Sequence, residues 1–382
     1  MISLGQVKKY SIIAFGDSAI LLEGLTYIFR YAEKVNRPCV INVSLGTNGG
    51  PHDGSSLVEQ GIDALVTEKP GRAVVLAAGN AYDDGIHCQG TLQQGAAVDI
   101  PWVIPQMGKT HCELEIWYDG ADEFEVELLD PNESSVATVA LNNVARLYET
   151  DEQAAIVLTH RVKERFGREP LNQIGVFIEK ELGGIWTLRL HGKKVVHGDY
   201  HAWIERQDGN QSSFPLDNQD STCTLGSLSC GKESIVVGSY HAGRPDAPIS
   251  YFSSAGPTRD GREKPEISAP GHDVLAAWSR TGTKVVRKMG TSMAAPAVTG
   301  AIAAMLSYAA SQGVTLTSTE IRNILIQSAR PNPAQVTPWD PRYGYGMVNL
   351  QAMLEAVDKL AIAHLGKIAN IENPVGGNPS QN

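Results

Sequence analysis

The chain has 382 residues, of which 42% are hydrophobic and 19% charged, with 32 Lys and Arg against 42 Asp and Glu for a formal charge of −10. That is ample material for a large core, and it excludes a wholly disordered chain. The acidic balance lacks the electrostatic footprint of a protein that binds nucleic acid or an anionic membrane. At about 150 residues per domain the length predicts two to three domains.

No uninterrupted apolar run approaches the roughly 18 residues a spanning helix needs, so no membrane span is expected. The opening, Met1 to Lys9, shows no basic stretch followed by an apolar one, and hence no visible signal peptide; the compartment stays open. Five cysteines, widely spaced and without a CxxC pair, argue against a disulfide framework or a thiolate zinc site. Buried or free thiols are expected, with Cys223 and Cys230 the one pair whose bridging the sequence leaves open.

Tyr10 to Phe15 is a short apolar run closed by Gly16-Asp17-Ser18, which predicts a strand and a turn, with Asp17 as a turn or cap residue. Leu21, Leu22, Leu25, Ile28, Phe29 and Ala32 then recur at helical spacing. Cys39 to Leu45 is a nearly unbroken apolar strand ended by Gly46. Leu57 to Val66 reads as a second helix, and Ala73 to Ala78 as a second buried strand ending at Gly79-Asn80. Continuous apolar strands alternating with helices predict a parallel sheet covered on both faces. In such sheets function gathers beyond the carboxyl ends of the strands, where Ser44-Leu45-Gly46 and Gly79-Asn80 stand.

The pattern changes after residue 87. Glu113 to Tyr118, Glu123 to Leu128, Trp186 to Leu190 and Tyr200 to Ile204 alternate polar and apolar residues, which predicts an antiparallel β-sandwich inserted over 88–222. The α/β pattern resumes with Ser234 to Gly238. Helices are predicted over about 292–310, 318–328 and 349–364, followed by a flexible tail over 366–382. The expected division is therefore 1–87 and 223–365 as two parts of one α/β body, with the insert between them.

The sharpest chemical signal is Gly290-Thr291-Ser292-Met293-Ala294-Ala295-Pro296-Ala297-Val298-Thr299-Gly300. A turn delivers a serine to the start of a helix, where free amides and the helix dipole favour a developing negative charge. Pro296 is expected to be tolerated as part of the first turn. A bare Ser/Thr pair would be read as an ordinary helix cap; the eleven-residue string is more specific.

In this string the chain resembles the subtilisin-like serine peptidases, the subtilases. Val75 to Asn80 is similar to the family's oxyanion-hole strand, and Ile41 to Gly46 to the strand that lines the substrate cleft. Tyr251 to Pro257, Lys264 to Gly271 and Tyr343 to Asn349 also resemble family segments. The resemblance implies a subtilisin-like but incomplete α/β fold. Ser292 would be the nucleophile and Asn80 an oxyanion donor, with Ser44, Leu45, Gly46 and Gly79 binding a polypeptide substrate. It implies no cofactor; calcium is common in the family, but no carboxylate set here matches a site, so no metal is assigned. The insert resembles the jelly-roll insert of subtilases from spore-forming clostridia.

The family also implies an Asp and a His that precede the serine. Neither a D-[ST]-G-like turn nor an HGTH-like string is present. His191 and His197 are expected on solvated turns of the insert; His52 and His272 flank cleft loops without a supporting motif; His87 and His111 stand at the insert's edges. In subtilisin, loss of the histidine costs about 2 × 10⁶ in turnover. The chain alone is thus expected to be nearly inactive. It reads as a C-terminal portion completed by a separate N-terminal segment that supplies Asp and His, or as a peptide-binding pseudoprotease. The α/β sheet is expected to show an apolar open edge. An α/β-hydrolase elbow is disfavoured because Ala294 stands where G-x-S-x-G needs glycine, and no GxGxxG follows a strand.

Overall fold

In the computed structural model the described residues are 18–106, 111–148, 154–165, 168–179, 182–207 and 209–372. The expected strand at 10–15 and Asp17 lie outside them. The chain opens with α1 (Ser18–Lys34), β1 (Cys39–Val43), α2 (Leu57–Thr67) and β2 (Arg72–Ala77). It returns to the same body with β13 (Ile235–Tyr240), β14 (Ile267–Pro270), a hairpin of β15 (Val274–Ala277) and β16 (Val285–Lys288), and helices α3 (Thr291–Ser311), α4 (Ser318–Gln327) and α5 (Leu350–Glu372). Helix α5 runs past the expected end at residue 364, so residues 366–372 are helical rather than tail.

Strands β1, β2, β13 and β14 form one sheet in that order, all parallel, with Ile41 opposite Val74 and Val75 opposite Ile235. The period-2 geometry of a strand divides β2 between two cores. Ala73, Val75 and Ala77 pack with Ile302, Met305, Leu325 and Met353 of α3, α4 and α5. Val74, Leu76 and Ala78 pack with Leu25, Phe29, Ile62 and Val66 of α1 and α2. This explains why β2 is apolar from Ala73 onward and buried at every position. Capping boxes start α2 (Ser56 with Glu59) and α4 (Thr317 with Glu320).

Strand β1 pairs with β2 alone among the described residues, leaving one side of the sheet open. Next to that edge, Pro296, Ala297, Gly300, Ala303 and Ala304 of α3 are exposed while its opposite face is fully packed. By length and composition alone α3 would cross a bilayer. Thr299, Gly300 and Ser307 interrupt its apolar string, so the sequence shows no unbroken run there.

Between β2 and β13 lie two antiparallel sheets around one core. The first, in the order β3-β12-β5-β10-β9-β8, comprises β3 (His87–Thr91), β5 (Cys112–Asp119), β8 (Val144–Tyr148), β9 (Ala154–Arg165), β10 (Arg168–Ile178) and β12 (Asp199–Ile204). The second, in the order β4-β11-β6-β7, comprises β4 (Ala97–Ile104), β6 (Glu123–Leu129), β7 (Ser135–Ala140) and β11 (Gly184–Lys194). Leu114, Ile116 and Tyr118 of one sheet share the core with Phe124, Val126, Leu188 and Leu190 of the other. One expectation fails here: His191 lies within β11 and faces Glu127 at 3.3 Å, not on a turn. Cys223 and Cys230 are free thiols, like the other three cysteines, as expected, and the bridge left open does not form.

Candidate active site

Beyond the carboxyl ends of β1 and β2 opens a cleft of about 270 Å³. Ser44, Leu45 and Gly46 line it after β1, Gly79 and Asn80 after β2, and Thr291 and Ser292 at the start of α3. The structure therefore brings all six residues singled out in the sequence into one cavity. Asp84, Arg206, Gln207 and Gln211 complete its wall from the other side.

Thr291 orders this arrangement. It is fully buried, and both its amide and its hydroxyl lie 2.9 Å from Asn80 Oδ1, to which they donate. Its Oγ1 also meets the Gly79 amide and carbonyl, each at 3.2 Å. With the oxygen of the Asn80 carboxamide so engaged, its Nδ2 is the free end, and it has no hydrogen-bond partner among the described residues. Gly290 caps α3 at φ 144°, a backbone conformation that favours glycine. The first amides of a helix have no intrahelical acceptor. Asn80 takes that of Thr291, so the Ser292 amide remains for a ligand.

Pro296 is the sixth residue of α3, not part of its first turn. Its missing amide would have bonded the Ser292 carbonyl. That carbonyl accepts instead from Ser44 Oγ at 3.1 Å, which ties the substrate-side strand to the nucleophile turn.

The insert supplies a clamp that sequence reasoning missed. The Glu205 carboxylate accepts from Thr47 Oγ1, from the Asn48 amide at 2.9 Å and from the Gly49 amide at 2.9 Å. Asn48 Nδ2 adds a bond to the Ile204 carbonyl at 3.2 Å. Glu205 merely follows an alternating strand, and no spacing rule distinguishes it. Burial raises the Asp84 carboxyl above its usual range; neighbouring Asp83 adds to the effect and Arg206 opposes it.

No histidine lines the cleft among the described residues. His52 is buried, stacked at 4.0 Å on Trp203, with Nε2 2.7 Å from the Asn48 carbonyl; burial pushes its pKa down to about 3. His87 and His201 form a second layer on Trp203, their rings linked Nε2 to Nδ1 at 3.0 Å. His272 stacks on His241.

A parallel α/β sheet that presents a serine at a helix start and a carboxamide to the same cleft defines the class: a subtilisin-like scaffold. Residues 202–346 match the model of the subtilase family, Peptidase_S8. It is similar to the serine protease AprX of Bacillus subtilis, 31% identical over 145 residues, which make up 34% of this chain and 31% of AprX. It is similar to pyrolysin of Pyrococcus furiosus, 35% identical over 81 residues, 21% of this chain and 6% of that protein. The matches thus span about a third or less of the length of these relatives. Among solved structures, that of the Clostridium perfringens CspB protease shares the fold, with a TM-score of 0.76 at 24% identity, over 90% of this chain and 71% of that one.

Proposed function

We propose that this chain is the nucleophile-bearing portion of a subtilisin-like serine endopeptidase. In this reading 1–87 and 223–365 form the catalytic body, and 88–222 is a jelly-roll-like insert whose Glu205 braces the cleft. Ser292 Oγ attacks the carbonyl carbon of a scissile peptide. The carbonyl oxygen becomes an oxyanion that accepts from the Ser292 amide and Asn80 Nδ2; the base that takes the Ser292 Oγ proton returns it to the departing amine, leaving an acyl-enzyme that water hydrolyses. Ser44, Leu45, Gly46 and Gly79 border the substrate. No metal or cofactor is required for these steps.

The observation that carries the reading is the carboxamide of Asn80, held by Thr291 with its NH₂ end free beside the Ser292 turn. The base and its aspartate would come from an N-terminal segment docked on the open edge of β1. The unpaired edge and the exposed small-residue face of α3 support that docking. The second reading, a peptide-binding pseudoprotease, is favoured by the lack of a histidine in the cleft lining among the described residues.

A fluorophosphonate probe separates them. The chain alone should label no faster than Ser292→Ala, and co-expression with the Asp- and His-bearing segment of a relative such as AprX should yield rapid labelling at Ser292. Labelling that stays at the Ser292→Ala level with the segment bound establishes the binding reading instead.

A further inference from the structure

Strands β13 and β14 run side by side with Tyr240 opposite Pro270, so the residues that follow them emerge at the same end of the sheet. These are His241 on one side, and His272 and Asp273 on the other. The two imidazoles stack with centroids 4.6 Å apart and planes 10° apart. His241 Nε2 stands 3.9 Å from Asp273 Oδ2, and one donor atom from each of the three side chains lies within 4.8 Å of the other two. His272 Nδ1 is buried with no hydrogen-bond partner among the described residues. A buried nitrogen left unpaired is unfavourable, and a coordinated cation would satisfy it. Phe252 and Tyr251 flank the His272 ring at 5.8 and 6.1 Å and wall one side of the cluster.

We propose that His241 Nε2, His272 Nδ1 and an Asp273 carboxylate oxygen form a zinc site whose fourth position is open to water. Two imidazoles and a carboxylate suit zinc better than calcium or magnesium, which prefer oxygen alone. Zinc–ligand bonds of about 2.0–2.2 Å in a tetrahedron bring donors to about 3.3–3.6 Å from one another. The donors therefore close by at most about 1.5 Å on binding, and the two imidazoles turn out of their stack so that each lone pair meets the ion, movements that the exposed Asp273 and half-buried histidines permit. His272 Nδ1 is already free. His241 Nδ1 accepts from the Gly243 amide at 3.1 Å, which places the ring proton on Nε2. Coordination through Nε2 moves that proton to Nδ1, so the Gly243 contact opens and no net proton is released. The proposal is independent of the peptidase reading, although the two sites are adjacent: the Gly271 carbonyl, one residue before His272, accepts from Gly290 at the head of α3 at 2.9 Å.

Titration of the full chain with Co²⁺, followed by zinc displacement, tests the site. One equivalent should bind with the visible absorption of a four-coordinate centre and be displaced by one equivalent of Zn²⁺. His241→Ala and His272→Asn should each weaken binding at least about tenfold, with circular dichroism unchanged. Asp273→Asn, an exposed substitution that does not threaten folding, should weaken it as well. A His191→Ala/His197→Ala double variant should bind as the wild type does. The proposal is overturned by the absence of stoichiometric binding, by binding that survives Asp273→Asn and both histidine substitutions, or by binding lost in the His191/His197 control.

Discussion

The Ser44 hydroxyl donates to the Ser292 carbonyl, the one backbone acceptor in α3 that Pro296 deprives of its helical donor. The strand that borders the substrate and the turn that carries the serine are joined through this bond. Ser44→Ala should destabilise the protein by about 1 kcal/mol, the net worth of a typical hydrogen bond. In a Pro296→Ala background the restored amide bonds Ser292 directly, so the same substitution should cost much less. A double-mutant cycle by urea unfolding reads the difference, and strict additivity would show that the two groups do not share the carbonyl.

Thr291 is expected to be more sensitive. Thr291→Val keeps the shape and the backbone bond to Asn80 Oδ1 but removes that oxygen's second donor and leaves the Gly79 amide without its side-chain acceptor, at a cost of about 1–3 kcal/mol. Thr291→Ser, which retains the hydroxyl, should stay within about 1 kcal/mol of the wild type. Equal losses in the two variants would mean that packing of the methyl group, not the hydroxyl, holds the turn.

Glu205 should govern the order of the cleft loop. Glu205→Gln removes the charge and one acceptor from a carboxylate that meets three donors on Thr47, Asn48 and Gly49. The expected loss is about 1–3 kcal/mol, with faster amide exchange confined to residues 47–49. Unchanged exchange there would show that the insert does not brace the cleft.

Two buried sets of groups should shape stability against pH. Burial pushes the Glu59 carboxyl up to about 8 from 4.5, with Asp53 and Asp63 adding to it. The folded state therefore keeps a proton that the unfolded chain has lost, and stability falls as pH rises from about 4.5 to 8. Burial holds His52, His87 and His201 down at about 3, 4 and 3, so the unfolded chain takes up protons first and stability falls as pH drops below about 6.5. The slopes oppose one another between 4.5 and 6.5, and the Glu59 contribution continues above that to about 8. Glu59→Gln, which keeps the capping box at α2, should abolish the decline in urea midpoint between pH 6.5 and 8; a slope that persists would assign it to other groups.

The elements were largely legible in the sequence because each carried its own period. Leu21 to Ala32 repeats every three to four residues and forms α1; Ala73 to Ala78 is apolar throughout because both its faces are covered. The cleft residues were legible because a serine string, an Asn after a strand and a Ser-Leu-Gly turn are local patterns. The weaker strands β7 to β10 were not, since polar and apolar residues alternate irregularly along them, although three of their pairings join strands that are neighbours in sequence.

What the sequence by itself determined is local: which segments bury both faces, where strands end, and which hydroxyl begins α3. Only the tertiary structure decided the couplings. Ser44 reaches Ser292 across 248 residues, Thr47 reaches Glu205 across 158, and Trp203 gathers His52 and His87 from two distant segments. Such contacts depend on how sheets and helices stack in space, and a hydrogen bond or a stacked ring leaves no periodic trace along the chain.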